Sequence, residues 1–380
     1  MNYDYIIAGS GLSGLSLLYC LLQEEPLSRK RILVLDKAKK NQNDRTYCFW
    51  ERGEGLFESI IHKQWSTLEF CSPDAQVEFE LKQYHYKMVR AADFYDHVLS
   101  HAGQFENVTF KQEPIEAIKS LPDKATVKTS DSEYSADYVF NSTRLFDPDM
   151  TVDNTLLQHF KGWFIKTDTA RFNDDKATFM DFRMAQEHGT TFMYFLPTRQ
   201  DEALVEYTLF SREVLADEAY DLELKRYIRD RLGISDYDIT HTEFGVIPMT
   251  TQSFKKHIGK RIINIGTAGG YTKASTGYTF QFVQKNTKEL IGYLRSDKTP
   301  AVGPRYIQRV FDWYDRTLLD VLLQERLSGQ QVFSQLFNRN PPEKILEFLA
   351  NESSFWGRFN IRNSVPMMPF MISGIRSLIG

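Results

Sequence analysis

The chain has 380 residues, 42% of them hydrophobic and 25% charged, enough to bury a large core in one extended domain or two interleaved ones. A net charge of −4 argues against nucleic acid as the partner, because there is no basic excess to meet phosphate. Cys20, Cys48 and Cys71 are odd in number and lack metal-ligand spacing, which points to free thiols in a reducing cytoplasm.

Met1 leads almost at once into a first strand, without the basic leader and apolar core of a signal peptide, and no uninterrupted apolar stretch is long enough to span a bilayer. A chain that is soluble or lies on a surface is expected. Tyr3 to Ala8 predicts a short buried strand, and Gly9-Ser10-Gly11-Leu12-Ser13-Gly14 then supplies GxGxxG. Leu15 to Gln23 has helical character, and Arg31 to Leu35 is a second apolar run closed by Asp36. In a dinucleotide fingerprint each glycine has a task. Gly9 permits the tight turn, Gly11 lets the backbone approach a pyrophosphate, Gly14 lets helix and strand pack closely, and the helix N-terminus, with Ser10, Leu12 and Ser13 around it, offers unpaired N–H groups. Asp36, 22 positions after Gly14, stands where a carboxylate can accept from ribose hydroxyls.

After Asp36 a polar, turn-rich stretch leads to Arg45-Thr46-Tyr47-Cys48-Phe49-Trp50. Arg45 follows the second nucleotide strand closely enough to contact a diphosphate or adenosine, although pairing with Asp44 or Glu51 is an equal alternative. Strands are predicted at Thr67 to Cys71 and Val77 to Leu81. Arg90 precedes a helix over Ala91 to Ser100 and is placed to reach the same ligand from the next turn. Val108 to Lys128 holds two further strands, and Ala136 to Asn141 reads as a buried strand returning to the nucleotide sheet. From Gly162 to Phe210 the pattern is β, with Phe192 to Leu196 and Leu204 to Phe210 forming a hairpin around 197–203. Period-two alternation puts Leu204, Glu206, Thr208 and Phe210 on one face, opposite Val205, Tyr207 and Leu209. Glu206 is therefore a carboxylate among apolar neighbours, either chemically used or paired with Arg183 or Arg199.

Residues 218–232 read as helix, and Arg261 to Gly266 as a last buried strand. The glycine-rich Thr267 to Gly277 opens a helix from Tyr278 onward, so that Thr276, Gly277 and Tyr278 either cap a helix or present its N-terminus to a bound ring system. His241 and Trp50 read as structural. Ile307, Val310, Phe311, Tyr314, Leu318, Val321 and Leu322 then share one helical face. The apolar end, Val365 to Ile372, fits either packing or contact with lipid. Phenylalanine occurs 28 times and tyrosine 19 times. Rings in such number line a tunnel for a long apolar ligand or fill an ordinary core.

Five segments taken together resemble the bacterial lycopene β-cyclases: the N-terminal fingerprint, Asn43 to Glu51 (NDRTYCFWE), Leu204 to Thr208 (LVEYT), Glu243 to Met249 (EFGVIPM) and Ser275 to Thr279 (STGYT). They recur in order over about residues 4 to 285. The resemblance implies an α/β chain with a glutathione-reductase-type, Rossmann-like FAD-binding domain, an inserted β-rich substrate domain and a helical C-terminal region. It places the FAD domain at 1–145 plus 245–295, the substrate domain at 146–244 and the helical region at 296–380. FAD, active when reduced, is the implied cofactor, with NADPH as reductant, and Gly266, Thr267, Thr276, Gly277 and Tyr278 join the fingerprint as implied contacts. Two positions depart from the pattern. Tyr207 follows Glu206 where the family shows paired acids, so this strand supplies one carboxylate. Thr267 follows Gly266 where related flavoproteins place an aspartate.

The implied reaction converts the linear ψ ends of lycopene into β rings, via γ-carotene to β-carotene. A proton adds to the terminal alkene, a neighbouring double bond closes on the cation, and a different proton leaves. An alkene is a poor base, so the acid has to be dry and close; Glu206 is its candidate, unless the reduced flavin itself donates. Two other readings stay open: a flavin oxidoreductase such as a hydroxylase or isoprenoid reductase, and a non-catalytic isoprenoid carrier, against which the intact glycines and Asp36 weigh. A greasy substrate and the absence of a spanning segment lead to the expectation of a cytoplasmic protein lying peripherally on the inner membrane.

Overall fold

Two-sided burial accounts for the first apolar run, since its alternate residues meet different layers. In the computed structural model, which describes residues 2–296 and 306–379, the strand Asn2–Ala8 lies parallel to Glu133–Asn141 on one side and to Ile32–Asp36 on the other. Val108–Gln112 extends this sheet beyond Ile32–Asp36, and Ile262–Asn264 extends it beyond Glu133–Asn141. Tyr5, Ile7, Ile32 and Val34 pack against helices Leu12–Leu22, Ala91–Ala102 and Phe280–Arg295. Ile6, Ala8, Leu33 and Leu35 pack against Ile118, Val127 and Tyr134 of an antiparallel meander. A strand covered on both faces reads as a continuous apolar run, as Tyr5 to Ala8 does.

The second sheet has seven strands in the order Asp238–Thr250, Thr155–Lys166, Glu202–Ser211, Thr190–Arg199, Lys176–Asp181, Thr67–Ser72 and Ala75–Glu80. It draws in the hairpin 67–80, because Thr67–Ser72 pairs in parallel with Lys176–Asp181. Its other edge strand continues past 244 to Thr250. The second sheet thus takes residues from both sides of the stretch 146–244. One of its faces buries Val205, Tyr207 and Leu209 beneath helix Asp217–Asp230, while Leu204 and Phe210 belong to the cluster on the opposite face, as the alternation predicts.

Local differences from the sequence reading have physical causes. The hairpin turn closes at 200–201, with strands running to Arg199 and from Glu202. Pro197 is tolerated inside the pairing because the register shifts beside it. The helix read from Tyr278 onward starts at Phe280, since Gly277 takes φ +71 and Thr279 is the residue that flanks the helix. Of the C-terminal helical region, 297–305 and 380 lie outside the described residues.

Helices Tyr306–Leu323, Gly329–Arg339 and Pro342–Leu349 cover the second sheet, Phe333 and Phe337 stacking on Phe182 and Phe70. They are fastened to the glycine-rich segment by a buried polar knot. Lys273 donates to Asp315 at 2.7 Å and to Asn351 at 2.8 Å, and the Ser275 hydroxyl donates to the same Asp315 oxygen at 2.7 Å. The Lys273 side chain is 1% exposed. Asp315→Ala should leave that ammonium buried without its counter-charge and lower unfolding free energy by about 3–5 kcal/mol, measured by denaturant titration; a loss below 1 kcal/mol would mean the knot is not what holds the helices.

Candidate active site

The glycine loop and the second sheet meet around a single cavity of about 670 Å³ whose lining runs from Gly11, Leu12 and Ser13 to Glu206 and Glu243. At the first end the fingerprint glycines behave as their chemistry requires. Gly9 sits at φ +101, and a methyl group on Gly14 would run into the Gly9 carbonyl oxygen. Both positions are closed to side chains by the fold itself. Gly11 is different: a Cβ there would meet no protein atom within 4 Å, so its surroundings are open toward the cavity. Helix Leu12–Leu22 has no side-chain cap, which leaves its first N–H groups directed at that space.

Asp36 braces this loop. Its Oδ2 accepts from the Ser10 N–H at 2.7 Å and the Ser10 hydroxyl at 2.9 Å, Oδ1 accepts from the Ala38 N–H, and Lys40 lies 3.7 Å away. These contacts hold the carboxyl below its usual range against the opposing effect of burial. It does not itself line the cavity, whereas Lys40 does. Arg45 lines the cavity and makes a partly exposed pair with Asp44 at 3.4 Å. Arg90 is placed elsewhere: its guanidinium forks onto Asp93 at 2.7 and 2.9 Å and is absent from the lining, because an acid three residues on in the first helical turn captures it.

Gly266, Thr267, Thr276, Gly277 and Tyr278 come together against the loop. Gly266 has φ +59 and packs against the Ser13 side chain, leaving no room for a Cβ. Thr267, Thr276, Gly277 and Tyr278 line the cavity. Two buried polar atoms here, Oε1 of Gln158 and Oγ1 of Thr276, have no hydrogen-bond partner among the described residues. Both residues line the cavity, and an unpartnered buried polar atom calls for a partner from outside the protein's own side chains.

At the far end the strand register builds a row across the sheet. Glu206 pairs with Tyr194 on one side and with Gly162 on the other, and Gly162 pairs in turn with Glu243. Partners in register point to the same face, so Tyr194, Glu206 and Glu243 all project into the cavity. Arg183 and Arg199 do not reach Glu206; they pair with Asp181 and Asp201. The only hydrogen bond to Glu206 among the described residues comes from the Thr208 hydroxyl at 2.8 Å. Burial, and then the charge of Glu243, push the Glu206 carboxyl well above the ordinary carboxylate range. Burial likewise raises Glu243, against the pull of Thr46 and Arg45.

Glu243 brings a second carboxylate to the same face from a strand two places across the sheet. Tyr86, Tyr194 and Tyr278 complete the wall: the Tyr278 hydroxyl lies 3.5 Å from that of Tyr86 and 3.3 Å from that of Tyr194. Burial raises all three phenols well above their usual value, which keeps them neutral. Trp50 meets Tyr278 edge-on, with ring centroids 4.5 Å apart. Sequence reasoning singled out Tyr278 but not Tyr86, Tyr194 or Gly162, whose roles depend on which strands pair.

Three solved structures share the fold at low identity. They are a geranylgeranyl bacteriochlorophyll reductase-like protein from Thermoplasma acidophilum (TM-score 0.64, 11% identity, covering 98% of this chain and 95% of that one), a flavoprotein/dehydrogenase from Cytophaga hutchinsonii (0.63, 12%, 100% of both) and halogenase PltM in complex with phloroglucinol and FAD (0.54, 13%, 89% and 77%). No curated protein matches the chain. The family described as lycopene cyclase protein matches residues 4–373, nearly the whole chain, and the protein therefore belongs to the lycopene cyclase family.

Proposed function

We propose that the protein is a lycopene β-cyclase, closing ψ ends of a linear carotenoid into β rings without net redox change and using FAD kept reduced by NADPH. The observation that carries this is the continuity of one cavity from the glycine loop to a buried, cation-free carboxylate. The residues fit the cofactor: Gly11 is open, the helix N-terminus behind it is uncapped, and Gln158 and Thr276 hold unpartnered polar atoms toward the same space. Gly11, Leu12, Ser13, Thr267 and Thr276 would hold it, with Lys40 and Arg45 as the cations available to its phosphates. When bound and reduced, the flavin supplies electron density beside a developing positive charge.

The protein's own groups do the rest. Glu206, protonated because it is desolvated, delivers its proton to the terminal alkene carbon. The faces of Tyr86, Tyr194, Tyr278 and Phe160 meet the resulting cation, and their packing keeps out water that would trap it as an alcohol. Closure of the neighbouring double bond and loss of a ring proton complete the isomerisation.

Membrane association at the cytoplasmic side of the inner membrane belongs to the same proposal. No helix among the described residues is long and apolar enough to cross a membrane. The last two helices, Phe355–Ser364 and Met367–Ile379, expose Trp356, Met367 and Leu378 at 70%, 71% and 72%, beside Arg358, Arg362 and Arg376. No acid follows Glu352 in the sequence, so this surface suits anionic headgroups above acyl chains.

Gly11→Val should fold normally yet retain at least tenfold less flavin, a difference of about 1.4 kcal/mol, read from the absorbance of purified protein; unchanged flavin content would place the cofactor elsewhere. Glu206→Gln should keep flavin and lose cyclisation of lycopene by roughly 10²- to 10⁴-fold, measured anaerobically with reduced FAD. Product that instead tracks oxygen or NADPH one for one would make the enzyme an oxidoreductase. In flotation with anionic liposomes the protein should rise with the lipid, and Trp356→Glu combined with Met368→Glu should leave it in the soluble fraction; a wild type that stays soluble overturns the membrane part.

A further inference from the structure

The row Tyr194–Glu206–Gly162–Glu243 has a gap at its centre. Neighbouring strands stand roughly 4.8 Å apart, and Gly162 is the one residue between the two glutamates. A Cβ built on Gly162 would lie 2.9 Å from Cδ1 of Leu204, 3.1 Å from Cγ of Glu243 and 3.4 Å from Oε1 of Glu243. Glu243 therefore lies over the glycine, on the face that Glu206 shares. Any other residue at 162 would put a side chain between the two acids in the row and against Leu204 and Glu243. The other oxygen of Glu243, Oε2, is buried and has no hydrogen-bond partner among the described residues.

We propose that Glu206 and Glu243 form a carboxyl dyad across Gly162, holding one proton between them at neutral pH and serving as paired acid and base. The inference rests on the cyclase reading and deepens it with a second reacting carboxylate and the glycine that positions both. In the forward step the Glu206 hydroxyl proton passes to the terminal alkene carbon, the alkene π pair forms the new C–H bond, and Glu206 is left as carboxylate. The neighbouring π pair then forms the ring C–C bond. The ionised Glu243 takes a proton from the carbon beside the ring cation, whose C–H pair becomes the ring double bond. One proton has entered and one has left the carotenoid. The dyad again holds one, now on Glu243, and transfer back across the gap restores the starting state.

The groups around the dyad leave this exchange undisturbed. Strand Thr46–Arg52 brings Cys48 to the pair and Thr46 to Glu243, with Arg45 and Asp44 just before it at the Glu243 end. Tyr86 comes from strand Tyr84–Arg90, Tyr194 from Thr190–Arg199 and Tyr278 from the loop before helix Phe280–Arg295. His241 lies two residues before Glu243 on its own strand and packs on Phe164. Burial raises the Cys48 thiol and the three phenols, so they stay neutral. Arg45 and Asp44 act on Glu243 in opposite senses.

The test is the pH profile of cyclisation by flavin-loaded enzyme, together with the carboxyl infrared absorption of protein carrying isotope-labelled glutamate. The wild type should show a protonated-carboxyl band at neutral pH that Glu206→Gln removes or shifts. Its rate should fall at low pH, where a second proton removes the base, and at high pH, where loss of the shared proton removes the acid. Glu243→Gln should abolish the low-pH limb and move the high-pH limb downward, because Glu206 loses its negative neighbour, with the maximal rate reduced roughly 10²-fold or more. Gly162→Ala should keep its flavin and move the high-pH limb in the same direction. A Glu243→Gln profile superimposable on the wild type overturns the dyad while leaving Glu206 as the acid. Absence of any protonated-carboxyl band in the wild type at neutral pH overturns it without recourse to a variant. If the band and its dependence on both glutamates are found but no acyclic carotenoid is cyclised, the shared proton stands and the cyclase reading falls.

Discussion

Everything at the far end of the cavity depends on keeping a carboxylate away from cations. A buried acid can be relieved by pairing, by hydrogen bonding or by holding its proton, and here the first route is closed by the sheet. The basic residues nearest Glu206 in the strand order are tied down elsewhere. Arg183 is locked on Asp181, Arg199 on Asp201, and Lys161, which projects from the opposite face, reaches Asp217 and Asp221 of the covering helix at 2.7 and 2.6 Å. Glu206 is left with one hydroxyl donor and a like-charged neighbour. That is the environment in which a carboxyl keeps its proton at a pH where others have lost theirs, and perturbed acids of this kind gather at reacting sites.

The enclosure of that end is maintained from behind. The Trp50 indole donates to the Leu346 carbonyl at 3.1 Å while its ring packs edge-on against Tyr278. Lys273 and Ser275, close before Tyr278 in the chain, are knotted to Asp315. The aromatic wall is thus positioned by the C-terminal helices on one side and by strand pairing on the other. Trp50 is structural, as its sequence context suggests, but what it supports is the cavity wall.

What was legible in the sequence was whatever is contained in one stretch of chain. The fingerprint is local, and strand, glycines, helix and Asp36 all fell where the spacing puts them, although Asp36 braces Ser10 rather than lining the cavity. The alternation around Glu206 gave its face correctly, because the two sides of that strand pack against different clusters. Glu243 was hidden for a different reason. Its motif was visible, but its position beside Glu206 is created by two long-range pairings through Gly162, and no local period encodes which strand lies next to which. Arg90 does precede a helix as its sequence context suggests, but Asp93, a single turn on, holds its guanidinium away from the cavity lining. Tyr278 is expected to open a helix, and the positive φ of Gly277 puts it in the loop, where it lines the cavity.

The same dyad geometry works against the stability of the fold. A carboxyl whose folded-state value lies above its unfolded one favours folding only while it is protonated, so its contribution is present at low pH and is lost as pH rises through the folded-state value. Both Glu206 and Glu243 are displaced in this direction, so each opposes folding in the neutral range, where Asp36 and Glu58 contribute with the opposite sign. A lysine opposite either acid would relieve the pair. The fold instead carries two buried acids beside a glycine, Glu243 only partly relieved by Thr46 and Arg45, and is held together around them by the buried Lys273 knot and the aromatic packing. Structural economy does not explain that arrangement, and a site that needs a proton held in a dry place does.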